Sequence, residues 1–315
     1  MKEFLGKVTT YIIILLIVTL SVNTLYISLV KKAYAEESKF NYVPDDISIC
    51  NFGSSHSQCS YNYENLASNF VCFNFALSSQ TLTYDNILLR YYHDKLAKNA
   101  MIFIEVSYFS FFGNEETTDI DFEAKNRRYY KFLPSYLIKE YDKGTAFYLT
   151  KLPSLIAYSD LANVFLKLAG INLIENMNDA TNIEEASSHA EQRYISHIKS
   201  KLNSDGTRNV NQEEVDALYE MIALCYASNF RPVLITPPFL AEYTDIIREN
   251  DPQFYDDFNG ILLQVIADTG VQYYDYSFDL RFIHDYSLFK DTDHLNNFGA
   301  VKFTDILAEE VLGIK

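Results

Sequence analysis

The first pattern along the chain is one of unbroken hydrophobicity. Residues 11–30 (YIIILLIVTLSVNTLYISLV) carry no charge, and about 20 helical residues cross the ~30 Å hydrocarbon layer of a bilayer. A core helix shows one apolar stripe, whereas this segment is apolar on every side. Lys2 and Lys7 precede it and Lys31 and Lys32 follow it. Two readings stand. The run exceeds the ~7–15 residues of a signal-peptide core, which favours an uncleaved anchor. Ala33-Tyr34-Ala35 has the small-x-small form of a cleavage site, which would release the body. The expected layout is a cytoplasmic N-terminus at 1–10, a transmembrane anchor or signal peptide at 11–30 and a polar linker at 31–46.

Beyond residue 46 the period changes. Residues 47–52 (ISICNF), 70–75 (FVCFNF) and 100–106 (AMIFIEV) are short apolar runs, as expected of strands buried on both faces. Between them 81–98 has helical spacing, carried by Leu82, Ile87, Leu88, Tyr91, Tyr92 and Leu96. Strand–helix alternation of this kind predicts βαβ units and a parallel sheet. Residues 107–190 break the rhythm and predict a Tyr/Phe-rich helical insertion, with helices near 133–141 and 153–170. Helices at 189–203 and 211–229, a strand at 232–236 (PVLIT), helices at 239–250 and 254–269, a strand at 271–276 and a last helix at 297–312 complete the pattern. The expected fold is α/β: a doubly wound, flavodoxin-like parallel sheet with helices on both faces, forming one domain over 47–315.

Charge adds a spatial asymmetry. Across 315 residues there are 26 basic and 42 acidic side chains, a net charge of −16. Residues 1–32 hold four Lys and one Glu, so the remainder has 22 basic and 41 acidic groups, or −19. A body this acidic is not built to displace counterions from nucleic acid. Four cysteines with no C-x-x-C pair do not make a disulfide-built scaffold.

Two segments carry chemistry. Gly53-Ser54-Ser55-His56-Ser57 follows the first strand, where open α/β sheets bind ligands. A serine in such a turn suits a nucleophile whose own amide supports the oxyanion, and a serine-rich helix cap would look the same. Asp291-Thr292-Asp293-His294 precedes the last helix. Its Asp-x-x-His spacing lets Asp291 accept a hydrogen bond from one ring nitrogen and leave the other basic. A hydrated acidic loop would share that pattern. His56 suits either a substrate contact or a turn cap. Asp291, Asp293, His294 and His56 are metal-type donors, but no second histidine pair stands at ligand spacing, so neither a metal nor another cofactor is expected.

The serine block after strand one, with Asp-x-x-His near the C-terminus, resembles the SGNH/GDSL hydrolase superfamily. The likeness covers about 47–106 and 230–312. It is closest in style to the membrane-anchored D-alanyl transfer proteins of teichoic-acid operons and to alginate O-acetylation proteins. The resemblance implies that Ser55 is the nucleophile, His294 the base and Asp291 its orienting carboxylate. Ser54 then stands where the superfamily has aspartate. The superfamily's oxyanion glycine and asparagine are missing, which turns attention to a backbone or side-chain donor from Ser78, Ser79 or Gln80 after the second strand. By the same resemblance the protein is an O-acyltransferase or esterase on an envelope glycan or exopolysaccharide. It would receive its acyl group from a carrier or from a membrane-bound O-acyltransferase partner. A non-catalytic assembly protein on a degenerate version of the fold is the alternative.

Overall fold

The computed structural model describes residues 1–27, 36–66, 69–113, 126–155 and 180–314. The chain divides into two compact units. One comprises Met1–Tyr42 and Thr118–Glu175, the other Val43–Thr117 and Asn176–Lys315.

The larger unit is built on five strands. These are β1 (Ile47–Phe52), β2 (Cys72–Asn74), β3 (Leu96–Glu105), β6 (Arg231–Thr236) and β7 (Gln272–Asp275). Their order is β2-β1-β3-β6-β7, and every neighbouring pair is parallel. Numbered within this sheet the order is 2-1-3-4-5, the flavodoxin-like doubly wound arrangement. Side chains alternate along each strand. One face carries Ile49, Met101, Phe103, Val233 and Ile235, which join Phe303 and Leu307 of helix α9 (Asn297–Glu310) in a buried cluster. Helices α3 (Leu82–Tyr91) and α6 (Gln212–Ala227) pack together, and α6 also lies against β6. Helices α7 (Ala241–Asn250) and α8 (Phe254–Thr269) complete the layer before β7. A pair absent from the sequence reading, β4 (Phe112–Gly113) with β5 (Asn209–Val210), is antiparallel and two residues long.

Several boundaries move. The helix expected over 81–98 stops at Tyr91, because a 3-10 turn at His93–Lys95 redirects the chain. β3 begins there, at Leu96, pairs with Ile47 and passes a register irregularity on the way to Met101. The helix expected at 189–203 starts earlier, as α5 (Ile183–Arg193). Asn182 caps it by accepting from the N–H groups of Glu184 and Glu185, both 3.1 Å away. It then widens into a π-helical turn at Tyr194–Ile198 and ends in a 3-10 turn. Local polarity misplaced the first end, and wide backbone hydrogen bonding ended the other.

In the smaller unit α1 (Lys2–Tyr26) has 25 residues, mostly apolar and exposed, and is long and apolar enough to cross a membrane. Near its end the buried Asn23 amide donates to the Lys151 carbonyl at 2.8 Å and accepts from the Ser154 hydroxyl at 3.0 Å. Helix α4 (Lys143–Lys151) is capped by Asp142, which accepts from the Gly144 and Thr145 N–H groups. The expected helix at 133–141 is instead a 3-10 turn at Ser135–Leu137. Most of the helix expected over 153–170 lies outside the described residues.

Candidate active site

The site forms where β1 and β3 end, the point at which the strand order reverses. β1 runs into Gly53, whose φ of +141° is left to glycine, and a Cβ there would sit 2.3 Å from Glu105 Oε2. The chain then turns directly into helix α2 (Ser55–Ser60), with Ser54 as its cap. Ser55 is the first residue of that helix.

Ser55 Oγ lies 2.8 Å from His294 Nε2. His294 Nδ1 donates to Asp291, at 2.9 Å from Oδ1 and 3.0 Å from Oδ2. Asp291 Oδ1 also accepts the His294 backbone N–H at 2.8 Å, which locks the tight turn that Asp-x-x-His spacing permits. The three side chains therefore form one hydrogen-bonded chain across 239 residues of sequence. Asn296 caps the following helix α9 through the Gly299 N–H at 3.0 Å, so the His294 loop is fixed at its far end too.

A second layer of charge surrounds this chain. Asp293, its side chain fully buried, has Oδ1 3.1 Å from His294 Nδ1 and accepts from Arg193 Nε at 2.9 Å. Arg193 also reaches Asp291 Oδ2 at 3.2 Å. The other oxygen of Asp293 is 2.9 Å from His56 Nε2. Burial works against a charged imidazole, yet the two carboxylates outweigh it and push His294 up to about 10 from an ordinary 6.5. Burial likewise opposes the charge on Asp293, but His294 and His56 hold its carboxyl well below the usual range. His197, from the π-helical turn, goes the other way: burial and the neighbouring cations bring it down to about 3 despite Asp293, so it stays neutral.

Glu105, at the end of β3, anchors the turn that presents Ser55. Its carboxylate accepts from the Ser54 N–H at 2.6 Å, the Ser54 hydroxyl at 2.8 Å, the Ser57 N–H at 2.9 Å and the Ser107 hydroxyl. Ser54 thus brings a hydroxyl and a backbone N–H to the turn, and the carboxylate that holds them comes from the neighbouring strand. Glu105, Ser107, Arg193 and His197 were not singled out from sequence. The capping pattern at Asn182 was a signal for the helix that carries Arg193 and His197. Nothing local marked their partners.

The remaining expected residues take other places. His56 is only 1% exposed, with both ring nitrogens engaged, so it offers substrate no free edge. Gln80 is buried and spends its amide on the Phe75 carbonyl and Asp85. Ser79 is exposed in a left-handed conformation with φ +56°. Cys50 and Cys72 lie on paired strands, and all four cysteines are free. Two sets of donor atoms, His56/His197/Asp293 and Asp291/Asp293/His294, fall within 4.8 Å of one another. Asp293 already faces a guanidinium and three imidazoles there, which fits a buried ion network rather than a cation site.

Fold and site together define a class: a doubly wound α/β protein with a serine–histidine–aspartate chain at the carboxyl ends of its strands. No protein-family model and no curated protein matches the sequence. Among solved structures, the chain is similar to an acetylxylan esterase from Geobacillus stearothermophilus at 11% identity and a TM-score of 0.38, over 87% of this chain and 97% of that one. It is also similar to a psychrotrophic esterase from Pseudoalteromonas sp., at 12% identity and a TM-score of 0.37, over 85% and 98% of the two chains.

Proposed function

We propose that the protein is a serine-dependent esterase or O-acyltransferase of SGNH type, held to a membrane by α1 and acting outside the cytoplasm on an envelope or exopolysaccharide glycan. The observation that carries this is the unbroken Ser55–His294–Asp291 hydrogen-bond chain. Ser55 Oγ attacks the acyl carbonyl while His294 Nε2 takes its proton, and Asp291 holds the ring in the required tautomer. The leaving alcohol then receives that proton. In the second half, a sugar hydroxyl or water gives its proton to His294 and takes the acyl group from Ser55, and His294 returns that proton to the departing Ser55 Oγ. The Ser55 N–H, at the start of α2, supports the oxyanion. An acyl carrier or a membrane-bound O-acyltransferase would supply the acyl group. The −19 body favours a neutral or weakly charged acceptor over a strongly anionic one. The test is reaction with a fluorophosphonate probe: the wild type labels and Ser55→Ala does not. Equal labelling of both would remove Ser55 from the reaction.

One feature supports a second reading, a non-catalytic assembly protein. Gln80 has no free amide proton for an oxyanion, and the Ser78 hydroxyl donates to Gln58. Loss of one oxyanion donor costs roughly 10²–10³ in rate. On this reading Ser55→Ala leaves envelope acylation unchanged in cells. Loss of acylation at normal protein levels would exclude it.

A further inference from the structure

The network around His294 holds three buried carboxylates, Glu105, Asp291 and Asp293, and one permanent cation, the half-buried Arg193. His56 lies between two of those carboxylates. Its Nε2 is 2.9 Å from Asp293 Oδ2, and its Nδ1 is 3.7 Å from Glu105 Oε1. An ionised Asp293 offers only acceptors, so Nε2 carries a proton. Nδ1 meets the Ser107 hydroxyl at 2.8 Å. A hydroxyl has one proton, and Ser107 directs it to Glu105. Toward His56 the Ser107 oxygen is therefore an acceptor, and Nδ1 must donate. Both ring nitrogens then bear hydrogen. Phe109 and Phe239 pack on the ring, with centroids 5.3 and 5.0 Å away, and they exclude water from it. His197 also lies alongside, 5.7 Å between ring centroids.

We propose that His56 is a standing imidazolium, a positioning cation fixed between Glu105 and Asp293, whose charge sets the basicity of His294 4.9 Å away. With Arg193 and His56 as fixed cations against three carboxylates, the network lacks one positive charge. The proton on His294 supplies it. Of the three cations only His294 also touches Ser55, so its proton is the one that exchanges during acyl transfer. Without His56 the surplus negative charge would bind the His294 proton harder and hold the base in its inactive form. With Asp293 neutralised the opposite would follow. The His56 ring bonds to Ser107 and Asp293 and not to the Ser55 hydroxyl, and on this geometry it meets no substrate. Its effect on the reaction passes through Asp293 and His294.

The consequence for catalysis rests on the proposed function above, but the protonation state does not, and the test separates them. The full-length protein, labelled with [15N]histidine in detergent micelles, contains six histidines. His56 is assigned by the signal lost in His56→Gln. The expected spectrum at pH 7 shows both His56 ring nitrogens protonated. A neutral His56 ring at pH 7 would overturn the proposal. In His56→Gln the His294 titration should move to higher pH, with proton affinity raised by about tenfold or more, and in Asp293→Asn it should move to lower pH. A His294 titration unmoved in both variants would also overturn it, and the wild-type spectrum decides alone if a variant does not fold. Failure of Ser55 labelling with a doubly protonated His56 would count against the enzyme reading only.

Discussion

Glu105→Gln is the most informative single change outside the serine–histidine–aspartate chain. The carboxylate serves four donors: two backbone N–H groups, of Ser54 and Ser57, and the hydroxyls of Ser54 and Ser107. A glutamine has one acceptor oxygen, which can keep the two backbone groups on the Oε2 side. Its NH2 then faces two hydroxyls that already have other neighbours, since Ser54 Oγ accepts the His56 N–H at 3.3 Å and Ser107 Oγ meets His56 Nδ1 at 2.8 Å. Two bonds to a charged acceptor are lost, each worth ~1.5–3 kcal/mol, so the low end of the cost is about 3 kcal/mol. For a body of ~150–250 residues each kcal/mol lowers Tm by roughly 2–4 °C, which gives a drop of at least about 6 °C. With no tryptophan in the chain, calorimetry is a better readout than fluorescence. Labelling of Ser55 should slow in the same variant, because the Gly53–Ser54 turn that presents it is held by this carboxylate. A Tm change under about 2 °C would mean less than ~1 kcal/mol and would refute the anchoring role.

Fluorophosphonate labelling should rise with pH, with its midpoint near 10, since Ser55 can give its proton only to a neutral His294; a profile already flat above pH 7 would contradict the raised basicity. The same shift has a stability sign. The folded state keeps a proton that the unfolded chain loses near 6.5, so His294 contributes fully below that pH and its contribution fades as pH rises through about 10, measurable as the difference between wild-type and His294→Gln denaturation curves. Asp291→Asn should reduce labelling by less than the ~10⁴ seen when a lone triad aspartate is neutralised, because Asp293 Oδ1 remains 3.1 Å from His294 Nδ1; rate measurements on the single variant and on Asp291→Asn/Asp293→Asn should show the larger fall only in the double. Gly53→Ala combines a disallowed φ with a Cβ 2.3 Å from Glu105 Oε2, and about 2–6 kcal/mol of strain and overpacking should show as loss of soluble protein or a large Tm drop.

The sheet was legible because its strands announce themselves locally. ISICNF, AMIFIEV and PVLIT are apolar on both faces, as central parallel strands must be, and all three fall at the middle of the observed order. Their ends were less clear where long-range pairing decides. Leu96 to Asn99 sit in a segment with helix-like spacing, yet β1 captures Leu96 opposite Ile47, and Asn99 takes a positive φ of 62° within the strand. No local propensity reports such a partner. The two-residue β4–β5 pair is the extreme case, since its existence depends wholly on residues 98 positions apart meeting at Phe112 and Val210.

The site divides along the same line. Ser55, His294 and Asp291 were readable because each lies in a short block whose spacing constrains it: a glycine turn at a strand end, and an Asp-x-x-His turn closed by its own backbone N–H. The charges that tune them were not readable, for a physical reason. Asp293 beside His294 looks redundant in sequence, and an adjacent residue in an extended segment points away. The turn made by Asp291 accepting the N–H groups of both Asp293 and His294 bends that rule and brings the second carboxylate onto the same imidazole. Arg193 completes the arrangement from a helix 98 residues earlier in the chain, and its i+4 neighbour His197 follows it through a π-helical turn. Such wide turns often occur at functional sites. The Ser55–His294–Asp291 chain is thus encoded locally, while the charges around it are encoded by tertiary contacts, and a sequence that keeps Ser55, Asp291 and His294 but loses Arg193, His56 or Glu105 would retain the outline of the site without the contacts that set its charge.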